Sequence, residues 1–136
     1  MAETPRLTLP KEERLCSRKL ADELFSGAKS RSMAAYPLRV VWMTVPRADG
    51  QQPVQILVSV PKRHFKRAVK RNRVKRQVRE AWRHQRQPLL DRLEATPDRA
   101  VVLAFIWLAD ELYPSSEVNT RVQNLVWRLA EKIGSA

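Results

Sequence analysis

Apolar positions along the chain change their spacing several times, and each change marks an element. Leu20, Leu24 and Phe25 gather on one side of a helix that Ser17 caps, that runs through about Ser26, and that Gly27 ends. Lys29–Ala34 predicts a short strand. Leu38–Val45 (LRVVWMTV) and Val54–Val60 (VQILVSV) are rich in β-branched and aromatic residues. They flank a turn region from Pro46 to Pro53 around Asp49-Gly50, so the pattern predicts a hairpin.

Pro61 stops the second of these strands, and no Pro or Gly follows between Lys66 and Gln85, which predicts a helix of some five turns. At about 100° per residue, Val74, Val78, Ala81 and Trp82 form one docking stripe, while Arg73, Arg76, Arg79 and Arg83 project to the opposite or flanking side. Pro88 and Pro97 bracket a short polar segment, helical or looped. Arg99–Leu108 (RAVVLAFIWL) is apolar almost throughout, as a buried central strand requires. A last helix fits Ser116 to Ile133, with Val118, Val122, Leu125, Val126 and Leu129 inward, Ser115 or Ser116 as cap, and Gly134 after its end. The order α-β-β-(β)-α-β-α describes an α+β sandwich, helices against a mixed sheet of about four strands.

Residues 1–13, with Pro5 and Pro10 and few apolar side chains, read as a flexible arm, and residues 14–136 as a single domain. No apolar run approaches the roughly 20 residues needed to cross a bilayer, and the start lacks the pattern of a secretory signal. The lone Cys16 excludes an internal disulfide framework and fits a reducing cytoplasm. With 26 Lys and Arg against 14 Asp and Glu, the formal charge is +12 and the pI about 10.9, which makes a polyanion the leading class of partner. The distribution is sharper than the total. Lys62–Arg86 holds 12 of those cations and one acid, Glu80, a net of +11, so the rest of the chain is nearly balanced.

Arginine pairs with phosphate in a bidentate way and stacks on bases, so an Arg-rich helix suits RNA backbones that converge. Asn72, between two arginines, can hold one of them or contact a sugar hydroxyl. The text from Leu57 onward, LVSVPKRHFKRAVKRNRVKRQVREAWR, resembles the protein component of bacterial ribonuclease P. The matching residues are Ser59-Val60, Lys62-Arg63, Ala68-Val69, Arg71-Asn72-Arg73, Lys75-Arg76 and Arg79-Glu80. Arg14-Leu15, the short helix ending in Phe25 and Gly27, the strand after Arg99 and the C-terminal helix follow the family more loosely. Lys66-Arg67 stands where many members have Gly-Asn, Ala21 stands four residues before Phe25 where a second aromatic is usual, and Phe105-Ile106-Trp107 stands where basic residues often follow the strand.

The resemblance implies an α-β sandwich with a left-handed βαβ crossover. It also implies a division of labour in tRNA 5′ maturation: a catalytic RNA subunit removes the leader of precursor tRNA by metal-assisted hydrolysis, and the protein docks on that RNA. By that resemblance Lys62, Arg63, Lys66, Arg67, Lys70, Arg71, Asn72, Arg73, Lys75, Arg76 and Arg79 contact RNA, and Arg14, Phe25 and Trp42 line a leader cleft between the first helix and the sheet. Phe25 reads either as a stacking surface for a leader base or as plain core, and Trp42, on a sheet-face position, either as a leader contact or as core. Mg²⁺ is expected for the assembled enzyme, with no cofactor held by this chain, and the expected partners are the ribonuclease P RNA and precursor tRNA, without a membrane or an obligate protein partner.

No catalytic constellation appears in the sequence. His64 and His84 lie far apart without a Cys partner and do not make a zinc site; Asp98, Asp110 and Glu111 lack paired-acid spacing; Cys16 reads as a plain thiol. Trp82, Trp107 and Trp127 read as core. Two other functions compete. A DNA-binding regulator using residues 66–85 as its recognition helix needs a second helix packed across the first by a short turn, where this chain has a strand. A membrane-surface or groove-binding amphipathic helix calls for larger apolar residues than Val74, Val78 and Ala81.

Overall fold

The computed structural model describes residues 18–27, 29–47 and 52–134. The expected arm, the Ser17 cap, Cys16 and the Asp49-Gly50 turn lie outside them. In chain order the elements are α1 (Arg18–Ser26), β1 (Arg31–Ala35), β2 (Leu38–Pro46), β3 (Val54–Ser59), α2 (Ala68–Gln85), α3 (Gln87–Glu94), β4 (Arg99–Trp107) and α4 (Ser115–Gly134). No helix among the described residues is long and apolar enough to cross a membrane.

The four strands lie in the order β1-β2-β4-β3. This corrects the expected hairpin: β2 does not pair with β3. Instead β2 turns back on β1 through Tyr36-Pro37, with Ala35 opposite Leu38, and β4 lies between β2 and β3. The reason is burial. Residues 100–105 of β4 are buried on both faces, so this strand takes the interior of the sheet, antiparallel to β2 along all nine residues and parallel to β3. In β3 the buried Val54, Ile56 and Val58 alternate with half-buried Gln55, Leu57 and Ser59, a pattern an edge strand tolerates. The parallel β3–β4 pair is joined through α2 and α3, which makes a βαβ crossover.

The two faces of the sheet are covered unequally. On one face α2, α3 and α4 bury the main core, in which Trp82 meets Phe105 at 6.0 Å between ring centres. The expected stripe of Val74, Val78, Ala81 and Trp82 is buried there, and so are the inward residues of α4. On the other face lies a smaller cluster of Val41, Met43, Val102 and Ala104 with half-buried Val45, Leu57 and Ile106, to which the nine-residue α1 adds Leu24, Leu20 and Ala21.

One open alternative is settled and three local expectations are corrected. The Pro88–Pro97 segment forms a helix with Pro88 in its first turn, and its Leu89 and Leu93 are fully buried. Ser115 is already helical; the carbonyl of the preceding Pro114 accepts from the amides of Glu117 (3.0 Å) and Val118 (3.1 Å). Trp127 is 53% exposed instead of core, because it sits about 100° around α4 from the inward Val126. Phe25 is likewise turned away from Leu24 and is 48% exposed.

Candidate nucleic-acid interface

The basic segment is built outward from apolar anchors. Val60 and Phe65 are buried at either end of the loop that follows β3, and Lys62 and Arg63 project from it. His64 Nδ1 lies 2.6 Å from Asp110 Oδ1, which ties this loop to the one after β4. Arg71 reaches back and donates to the carbonyls of Phe65 (2.8 Å) and Lys66 (3.0 Å). One of its terminal nitrogens therefore holds the approach to α2, and Arg71 is only half-buried while doing so.

Beyond this point the cations face solvent. Lys66, Arg67, Lys70, Asn72, Arg73 and Arg76 are exposed, and Lys75 and Arg79 are half-buried. Their order along the helix runs against the usual electrostatics. A helix start carries a partial positive charge and favours acids, yet the first turn of α2 has none, and its N-cap, Arg67, makes no side-chain capping bond. The acid of the segment, Glu80, is paired within the helix to Arg83 at 3.1 Å and lies 3.8 Å from His84. The N-terminal half of α2 is thus a cationic ridge that an anion would relieve.

Gln77 belongs to this surface and was not expected there. It is the one buried polar side chain among the described residues, 9% exposed, and its Nε2 donates to the Tyr113 carbonyl and to Ser115 Oγ, both at 3.0 Å. These bonds draw the start of α4 against α2. Between them lies a groove of about 540 Å³ lined by Val69, Asn72, Arg73, Arg76, Gln77 and Ser115. The signal was legible: Gln77 falls beside Val74 and Val78 on the helical wheel, where a polar residue needs a partner.

A second concavity lies on the other face, between α1 and the sheet. Leu24, Phe25, Gly27, Ser32, Arg39, Val41 and Ile106 line about 330 Å³. Gly27, at φ 81°, ends α1 in the left-handed region and turns the chain toward β1. Arg39 donates to Ser32 Oγ at 3.2 Å across the β1–β2 pair. Neither Arg39 nor Ser32 was singled out from the sequence, although a lone cation inside the apolar LRVVWMTV run is such a signal.

The structure does not bring Trp42 into this cleft, which corrects the shared site expected for Phe25 and Trp42. Trp42 has the parity of Leu38 and Val40, so it points to the face covered by α4 and is 6% exposed. Arg14 lies outside the described residues. Among the described residues no three His, Cys, Asp or Glu side chains come together as a metal-holding group.

The comparisons with known proteins agree with one another. The family model described as Ribonuclease P matches residues 9–105. The ribonuclease P protein component of Porphyromonas gingivalis strain W83 is 38% identical over 139 aligned residues, covering 100% of this chain and 96% of that protein. Among solved structures, the RNase P protein of Thermotoga maritima has a TM-score of 0.62 at 21% identity, covering 85% of this chain and 96% of that one. A Staphylococcus aureus RNase P protein mutant with defective mRNA degradation activity has a TM-score of 0.64 at 17% identity, covering 89% and 90%. The structural likeness establishes the fold; the match over most of the sequence, together with a relative aligned from end to end, establishes that this chain belongs to the ribonuclease P protein family.

Proposed function

We propose that this chain is the protein subunit of a ribonuclease P ribonucleoprotein, which binds the catalytic RNA through α2 and the 5′ leader of precursor tRNA through the α1 cleft. Family membership supports the role in ribonuclease P. The observation that carries the RNA contact is the ridge at the start of α2, where exposed cations stand unrelieved by any acid in the first turn. Phosphate oxygens supply the missing negative charge, with the exposed Arg73 and Arg76 making bidentate contacts and Asn72 meeting a sugar hydroxyl in this reading. Lys62, Arg63, Lys66, Arg67, Lys70, Lys75 and Arg79 extend the same field, and Arg71 shapes the loop that presents it.

The competing readings find less support. The apolar face of α2 is used up in the sheet core, which leaves no apolar side for a membrane or a partner groove. The element before α2 is β3, not the crossing helix a DNA-reading motif requires. In the α1 cleft, half-exposed Phe25 offers a stacking surface and Arg39 a charge for the leader backbone. Mg²⁺ is expected for the assembled enzyme, and no step is assigned to a metal on this chain. The phosphodiester hydrolysis belongs, in this reading, to the RNA subunit.

The test is reconstitution. The protein combined with a bacterial ribonuclease P RNA should stimulate cleavage of precursor tRNA at low Mg²⁺, with both components required. Robust cleavage by RNA-free protein, or no stimulation of the RNA, would overturn the reading.

A further inference from the structure

A second basic concavity lies at the opposite end of the sheet from the start of α2. The α2 motif follows the end of β3, which pairs with the end of β4, whereas this concavity gathers around Arg99 at the beginning of β4. With about 3.3 Å per residue, the nine residues of β4 separate the two by roughly 26 Å. Lys29, Arg31, Arg99 and Lys132 line the concavity, whose volume is about 200 Å³, and none of its lining residues is a carboxylate.

Its buried wall is Trp42. The Arg31 guanidinium carbon sits 5.9 Å from the centre of that indole ring. The cationic side chains at the rim are donors without a lining carboxylate among them, so the complementary ligand is an oxygen-rich anion. The site also has a neighbour. Arg31 lines the α1 cleft as well as this pocket, and it stands on β1, an edge strand of the sheet. A strand lying in the cleft therefore meets the second pocket by passing over a single edge, with a cation at the crossing.

From this continuity we infer that the pocket formed by Lys29, Arg31, Arg99 and Lys132 around Trp42 binds backbone phosphates of the leader farther upstream than the nucleotides held beside Phe25. The inference rests on the leader reading given above and extends it: the cleft alone serves short leaders, and the pocket adds affinity only when the leader is long enough to round β1.

The experiment measures binding of precursor tRNAs with short and long leaders, and of mature tRNA, to the enzyme reconstituted with a bacterial ribonuclease P RNA, read before turnover. The variant is Lys29→Ala/Arg99→Ala, since both side chains are exposed; Lys29→Glu/Arg99→Glu serves as a charge-reversed check, and the melting temperature of each is recorded. Each lost phosphate contact should lower the salt slope by about 0.7 and affinity about fivefold at roughly 0.1 M salt, so the double variant should lose about 25-fold on the long leader. Short-leader precursor and mature tRNA should be unaffected. Wild-type affinity for the long leader in both variants would overturn the inference, as would equal losses on all three ligands, which would turn the pocket toward the tRNA body or the catalytic RNA. A wild-type enzyme that binds precursor no better than mature tRNA would overturn the leader reading itself, and that outcome needs no variant to be seen.

Discussion

Replacing Phe25 by Ala separates a stacking role from a packing role, because the structure sets the sizes of both. Full burial of a Phe side chain is worth about 1.5–3 kcal/mol, and Phe25 is 48% exposed, so its truncation removes roughly half of that. The expected loss of stability is about 1 kcal/mol, or a fall in Tm of about 3–5 °C for a chain of this length. A core Phe would instead cost about 3–5 kcal/mol. If Phe25 stacks on a leader base, the affinity for precursor tRNA falls by about 1–3 kcal/mol, on the order of 5- to 150-fold, while mature tRNA, which has no leader, binds as before. The assay pairs a thermal melt of the free protein with equilibrium binding of precursor and mature tRNA to the reconstituted enzyme. Equal losses on both ligands with a Tm lowered by more than about 10 °C would refute the reasoning and make α1 a purely structural helix.

Other substitutions test the basic helix and its supports. Arg67→Asp supplies the missing cap and favours the dipole at the start of α2, so it should raise stability by about 1–2 kcal/mol while weakening RNA binding; a gain, or no change, in RNA affinity would remove Arg67 from the interface. Gln77→Ala should cost about 2 kcal/mol by breaking two bonds to the start of α4 and leaving a gap, whereas Gln77→Leu, which breaks the same bonds but keeps most of the buried volume, should cost less in denaturant melts. Arg47 donates to the carbonyls of Leu93, Thr96 and Arg99, so Arg47→Ala should lower stability by about 2 kcal/mol with unchanged RNA affinity.

The elements whose burial follows a single period were legible in the sequence, and those set by distant pairing were not. The α2 stripe obeys a helical repeat, and β4 declares its interior place by being apolar on both faces. Strand order has no such local mark: β2 and β3 are neighbours in sequence, and only the insertion of β4 between them explains why they do not pair. Trp127 misled for another reason. A large aromatic suggests core by composition, yet it lies one residue, about 100°, off the inward Val126, so periodicity was the better guide. The α2 ridge was visible as charge order alone. The α1 cleft was half visible: Phe25 was placed correctly on α1, but the parity that sends Arg39 to the α1 face and Trp42 to the α4 face has meaning only once the covering helices are known.

The most direct test of α2 as the RNA interface is the salt dependence of affinity for the ribonuclease P RNA, compared between the wild type and Lys70→Ala/Arg73→Ala/Arg76→Ala. These three side chains are exposed and off the docking stripe, so Tm should hold within a few degrees. If they contact phosphates, the slope of log affinity against log salt should fall in magnitude by about 0.7–0.9 for each contact removed, roughly 2–3 in total, with affinity lost most strongly at low salt. An unchanged slope with unchanged affinity would mean that the ridge is only a solvated face, and the RNA would have to be held elsewhere.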